Sequence, residues 1–160
     1  MNKNRGNFIT IEGGEGTGKT TLVNSLKKFI ESKGIECFVT REPGGTKTGE
    51  DLRSILINND FDLDQELDIL SFARSEHVSK TIKEKLKKGI WVISDRFFDS
   101  TLAYQGFMNL ERFNEIQQYC HLAAGECTPD FTIWLDLDAT TGLVVKRVNP
   151  EKLVYSVPTD

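Results

Sequence analysis

Residues 9–22 read ITIEGGEGTGKTTL. A short apolar run, with Phe8 ahead of it, breaks into four glycines within six positions, Gly13, Gly14, Gly16 and Gly18, before Lys19, Thr20 and Thr21 open a helical pattern. Phe8–Glu12 is expected as a strand. Lys19–Lys33 is expected as a helix, since Leu22, Val23, Leu26, Phe29 and Ile30 fall at helical spacing and Gly34 stops it. Between the two, Gly13–Thr20 fits GxxxxGK[ST] in the strand–loop–helix setting that this motif requires. Glycines let the backbone curl until successive N–H groups point inward as a nest, and the helix start adds its positive dipole end. The ligand implied is a polyphosphate, wrapped by Gly13, Gly14, Glu15, Gly16, Thr17, Gly18, Lys19, Thr20 and Thr21. Lys19 would reach the β- and γ-phosphate oxygens, the Thr20 hydroxyl would ligate Mg2+, and Thr21 would help at the helix start. The competing account is a glycine-rich turn that only lets strand and helix pack closely.

Outward from this unit the outline repeats. Ile35–Thr40 reads as a second strand, REPGGT as a turn, and Glu50–Ile57 as a short helix around Leu52, Ile55 and Leu56. Asp64–Lys88 reads as one long helix carrying Leu67, Leu70, Ala73, Val78, Ile82 and Leu86, and Gly89 hands over to the strand IWVISD. Leu110–Ala124 is expected as a helix and FTIWLDLD as a fourth strand. Strands this continuous in apolar residues belong to a parallel sheet flanked by helices on both faces, hence an α/β fold. The lysine-rich KTIKEKLKKG is expected as a solvated helix face.

A chain of 160 residues fits a single domain, 1–160. The formal charge of −4 supplies no general attraction to nucleic acid or anionic membrane. No stretch nears the roughly 18 apolar residues of a membrane span, and MNKNRGN has no apolar signal region, so a soluble cytoplasmic protein is expected. Cys37, Cys120 and Cys127 lack ligand spacing and are expected as reduced thiols; His77 and His121 stand alone and are expected to be packed or solvated.

A phosphate loop does not by itself separate kinases from GTPases and motor ATPases. The Asn-Lys-x-Asp and DxxG strings of GTPases do not occur here. Three further stretches do speak: TREPGGT (40–46), FARSEHV (72–78) and SDRFFDSTLAYQG (94–106). In order and spacing they resemble thymidylate kinases, and with the loop and PDFTIWLDLD the resemblance runs from residue 8 to about 147. It implies the three-layer P-loop nucleoside monophosphate kinase fold and transfer of the ATP γ-phosphoryl group to dTMP, giving dTDP and ADP, with Mg2+. It also implies a homodimer, with the long helices as the interface.

The chemistry makes separate sense of these residues, because bringing two anions together in line calls for converging cations. Arg96 follows a strand ending in Asp95 and so lies at the carboxyl edge of the sheet, where such folds bind ligands. By resemblance it holds the dTMP phosphate. Arg53 is a second candidate, with a surface ion pair as its alternative. Asp95 would approach Mg2+ through water; a helix cap or a tether for Lys19 competes. The resemblance puts Glu42 and Pro43 over the acceptor, joined by a cis peptide, against a plain turn. It matches Arg74 to the base, Ser100, Thr101 and Gln105 to further polar contacts, Tyr104 to the sugar 2′ position and Glu15 to the sugar 3′-hydroxyl.

Two departures stand out. Where the family stacks a Phe on the base, four residues before the arginine, this chain has Leu70, with Phe72 displaced by two. Either Phe72 rotates in, or the base lies on a less aromatic floor, or Phe72 is core. Gly16 also lacks the arginine of one family branch; the other branch carries that cation in a mobile lid after the fourth strand. Here NPEKLVYSVPTD follows nine residues after Thr140, as if the lid were skipped at a seam near Val148 and Asn149. The expectation is that a mobile lid is missing from the sequence as given, against a shortened chain or a natural variant without one. Beside the dTMP kinase stand a kinase for another nucleoside monophosphate such as dUMP, and a nucleotide-binding module without catalysis.

Overall fold

The computed structural model describes residues 5–138 and 140–142; the seam near Val148 lies outside them. Four parallel strands, β1 (Phe8–Gly13), β2 (Cys37–Arg41), β3 (Trp91–Asp95) and β4 (Phe131–Leu135), form one sheet in the order β2-β3-β1-β4. Ile9 pairs with Ile93 on one side and Phe131 on the other, so β1 is central and its loop opens at the carboxyl edge beside the end of β3.

The helices are α1 (Lys19–Ser32), α2 (Lys47–Asn58), α3 (Leu63–His77), α4 (Lys83–Lys87), α5 (Phe98–Thr101) and α6 (Phe113–Ala124). Alternation along the strands sorts the core into two layers. Ile9, Ile11 and Ile93 pack with Val23 and Ile30 of α1 on one face. Phe8 and Val92 face the other way, against Val78, Ile82, Leu86, Phe97 and Ala124. The expected α/β fold with helices on both faces is what forms.

Boundaries differ from expectation for local reasons. Helix α2 starts at Lys47, before Glu50, because the Thr46 hydroxyl accepts the Gly49 amide at 2.9 Å. Helix α3 starts behind a capping box in which Asp62 accepts the Gln65 amide and Gln65 reaches back to the Asp62 amide. The long 64–88 helix is interrupted by a π-helical turn, Val78–Ile82, and Leu110–Arg112 is a 3-10 turn ahead of α6. The second strand begins at Cys37 and the fourth ends at Leu135, both shorter than expected. The helix α5 and its continuation, the π-helical turn Leu102–Gly106, were not anticipated. β4 also departs from the buried pattern: Phe131 and Trp134 are 60% and 69% exposed. Among the described residues no helix is long and apolar enough to cross a membrane.

Candidate active site

The loop after β1 has the backbone its glycines allow. Gly16 and Gly18 take φ of 73° and 92°, the left-handed region that favours glycine, and Gly18 leads directly into α1. Buried Thr17 braces the turn by donating its hydroxyl to the Gly14 carbonyl at 3.0 Å. The Lys19 ammonium arches back over the loop to the carbonyls of Gly13, at 3.0 Å, and Gly14. Partial burial, then the positive Arg96, hold its pKa below the usual lysine value. Such an ammonium gains most from an anion arriving in the loop. The tether between Asp95 and Lys19 is therefore not the arrangement found, since the ammonium bonds backbone instead.

Thr20 and Asp95 line one cavity, and Asp95 Oδ1 is buried with no hydrogen-bond partner. An orphaned carboxylate oxygen beside a hydroxyl suits a hard divalent cation and its water shell, so the residues present fit Mg2+.

A second cavity, of about 370 Å³, opens beside Glu15 of the loop and is lined by Glu42, Pro43, Arg53, Leu70, Arg74, Arg96, Ser100, Thr101, Tyr104 and Gln105. These come from the β2–α2 turn, α2, α3 and the segment after β3. The Glu42–Pro43 peptide is cis. Arg53 donates to the Pro43 carbonyl at 3.1 Å, and Gln105 donates to Glu66 at 3.1 Å. Arg74 is 3% exposed, with Nε on Glu42 Oε2 and Nη2 on Thr101 Oγ1, each at 2.8 Å. The other Glu42 oxygen lies 3.0 Å from His77 Nδ1, while His77 Nε2 lies 2.7 Å from Thr40 Oγ1. A carboxylate paired with Arg74 accepts here, so His77 donates to it from Nδ1, and Nε2 shares a hydrogen bond with the Thr40 hydroxyl.

Arg96 links the two regions: it lines this cavity and also one shared with Gly13 and Gly14 of the loop. Its φ of 71° is positive, unlike that of any other non-glycine residue among those described. Its guanidinium donates to Ser100 at 3.0 Å and lies 5.4 Å from the centre of the Tyr104 ring.

A family model described as thymidylate kinase matches residues 11–155. The thymidylate kinase of Protochlamydia amoebophila is 44% identical over 145 residues, which cover 88% of this chain and 64% of that one. That of Carboxydothermus hydrogenoformans is 43% identical over 141 residues, covering 87% and 70%. The chain belongs to the thymidylate kinase family. A crystal structure of thymidylate kinase from Ehrlichia chaffeensis superimposes with a TM-score of 0.78 at 35% identity, covering 91% of this chain and 89% of that one. The chain spans about two thirds of the length of these curated relatives, 64% and 70%.

For a thymidylate-kinase site, Phe72 is in the wrong place. It is 57% exposed and does not line the 370 Å³ cavity, because two residues along a helix turn it to the far side of α3 from Leu70. Phe72 is therefore not a core residue, and Leu70 lies on the cavity wall together with Glu66, Ala73 and Arg74 of α3.

Two residues of the same site escaped sequence reasoning. His77, expected as an isolated packed or solvated residue, is fully buried as the partner of Glu42; its spacing of three from Arg74 puts both on one helix face and was the available signal. Glu12 is 6% exposed at the end of an apolar strand, and a carboxylate buried there has to be paired. Its Oε1 accepts the Phe97 amide at 2.7 Å and its Oε2 accepts the Ser100 hydroxyl at 2.6 Å. The three cysteines are free and buried, and burial pushes the Cys37 and Cys127 thiols up to about 11.

Proposed function

We propose that the protein transfers the γ-phosphoryl group of ATP to dTMP, releasing dTDP and ADP. The observation that carries this reading is the position of Arg96, on the wall of the 370 Å³ cavity and near enough to Lys19 of the loop for its charge to lower the Lys19 pKa. A dTMP phosphate held there would face a γ-phosphate held by the loop. One of its oxygens attacks the γ-phosphorus in line as the bond to the β-phosphate oxygen breaks. Catalysis then rests on holding the anions together and neutralising their charge, with Lys19 on the donor side and Arg96 on the acceptor side. Thr20 and Asp95 would hold Mg2+, which supplies further neutralisation of the phosphates. Glu15 is assigned to the sugar 3′-hydroxyl, Tyr104 to the 2′ side of the ring, and Arg74, with Thr101, to the base. Homodimer formation and a cytoplasmic setting belong to the same proposal.

One observation favours a second reading. With Leu70 on the cavity wall and Phe72 outside, α3 offers the base no aromatic face, which relaxes discrimination for the thymine methyl and admits dUMP. A coupled assay with ATP, Mg2+ and a panel of nucleoside monophosphates tests both. The expected result is the highest kcat/KM with dTMP. Preference for dUMP favours the second reading, and no turnover with any monophosphate overturns both.

A further inference from the structure

Arg96 keeps an unfavourable backbone conformation, and the bonds that hold it come from all sides. Its amide donates to the Ile11 carbonyl at 3.0 Å, and its carbonyl accepts the Ser94 hydroxyl at 2.7 Å. The next amide, that of Phe97, donates to Glu12, and the Arg96 guanidinium rests on the Ser100 hydroxyl that itself donates to Glu12. A non-glycine residue at φ 71° persists only where its surroundings over-determine it. Glu12 supplies two of those constraints from the residue just before the glycine loop.

We propose that Glu12 is a positioning residue for Arg96, tying the acceptor-phosphate arginine to the donor loop. The proposal rests on the reading that Arg96 holds the dTMP phosphate. By accepting the hydrogen bond of the Ser100 hydroxyl, the Glu12 carboxylate turns a Ser100 lone pair toward Arg96 Nη1 and fixes the direction of the guanidinium. By accepting the Phe97 amide it fixes the peptide that follows Arg96. Burial first, and then the Asp99 charge, push the Glu12 carboxyl upward against the pull of Ser100, Phe97 and Arg96, so an ionised group here is retained at a cost. An apolar residue at this end of β1 would pack without that cost and leave both donors unpaired.

The test compares dTMP with thymidine, which has the same base and sugar but no phosphate for Arg96 to hold. Equilibrium binding of both ligands is measured for the parent, Glu12→Ala, Arg96→Ala and the double variant, with a thermal melt of each. Glu12→Ala is expected to weaken dTMP about tenfold while thymidine changes less than about twofold. On the Arg96→Ala background the same change is expected to add little, because the group it aims is gone. If Glu12→Ala fails to fold, Glu12→Gln carries the test. Its amide can meet Phe97 but cannot accept from Ser100, so a loss of about threefold, specific to dTMP, is expected. Equal loss of both ligands, no loss of dTMP, or an undiminished loss on the Arg96→Ala background overturns the role of Glu12. If Arg96→Ala itself weakens dTMP and thymidine alike, the reading of Arg96 fails first and the proposal falls with it.

Discussion

The glycine loop and the cavity beside it, which we propose as donor and acceptor sites for two phosphate esters, are built from different material. The loop is eight consecutive residues, Gly13–Thr20, whose useful groups are backbone amides set by glycine dihedrals. The cavity is assembled from the β2–α2 turn, α2, α3 and the segment after β3, and its useful groups are side chains anchored to one another: Arg74 to Glu42 and Thr101, Glu42 to His77, Arg96 to Ser100. A site made of backbone depends on few side chains. A site made of buried polar side chains is only as firm as its weakest partner, because each removal strands another group.

That contrast can be broken by substitution. Arg74→Ala leaves Glu42 buried with His77 alone, and breaking a buried pair of this kind costs about 3–5 kcal/mol. Urea unfolding should show a loss of that size, whereas Thr20→Ala, an exposed residue of the loop at the start of α1, should stay within about 0.5 kcal/mol. Equal losses would mean that the cavity network is no more brittle than the loop. Lys19→Ala should do the reverse: turnover falls about 10²- to 10³-fold with little change in stability, as read by steady-state kinetics beside a melt. Leu70→Phe returns an aromatic face to the cavity wall and should tighten dTMP by about 1 kcal/mol, or roughly fivefold, through stacking on the base. Unchanged binding would place the base elsewhere.

The smallest effect concerns pH. The Lys19 ammonium is held below the usual lysine pKa in the empty loop, chiefly by burial, and phosphate favours its charged form. As pH rises toward the ordinary lysine value of 10.5, the proton is lost from the empty loop first and has to be regained on binding, so ATP affinity declines gradually. Titrations from pH 7 to about 10 should show that decline in the parent and a flatter profile in Lys19→Met. Parallel profiles would remove Lys19 from the donor site.

The two regions also differ in how far they could be read from the chain. The loop was legible because everything it needs is contiguous: apolar run, glycines, lysine, helical spacing. The sheet was legible for the same reason, from four apolar runs. The cavity residues came through resemblance to a family; two of the partners that hold them did not, since a single Glu12 or His77 in a string names no counterpart 85 or 35 residues away. The sequence leaves open whether Leu70 or Phe72 faces the cavity; the direction in which α3 turns puts Leu70 on its wall and Phe72 outside. The segment Phe98–Gly106 carries little helical periodicity, and it coils where Glu12 holds its start and α6 packs against its end. Asp62 and Gln65 are a missed local signal, since that spacing ahead of an apolar pattern is the signature of a capping box, which forms here.

The central claim, two phosphate sites of different construction in one chain, is tested most directly by a crossed titration. ATP and dTMP are each titrated calorimetrically into the parent, Lys19→Ala and Arg96→Ala. The account predicts that Lys19→Ala weakens ATP and spares dTMP, while Arg96→Ala weakens dTMP and spares ATP. If both variants weaken the same nucleotide and leave the other untouched, the division into a donor loop and an acceptor cavity is contradicted.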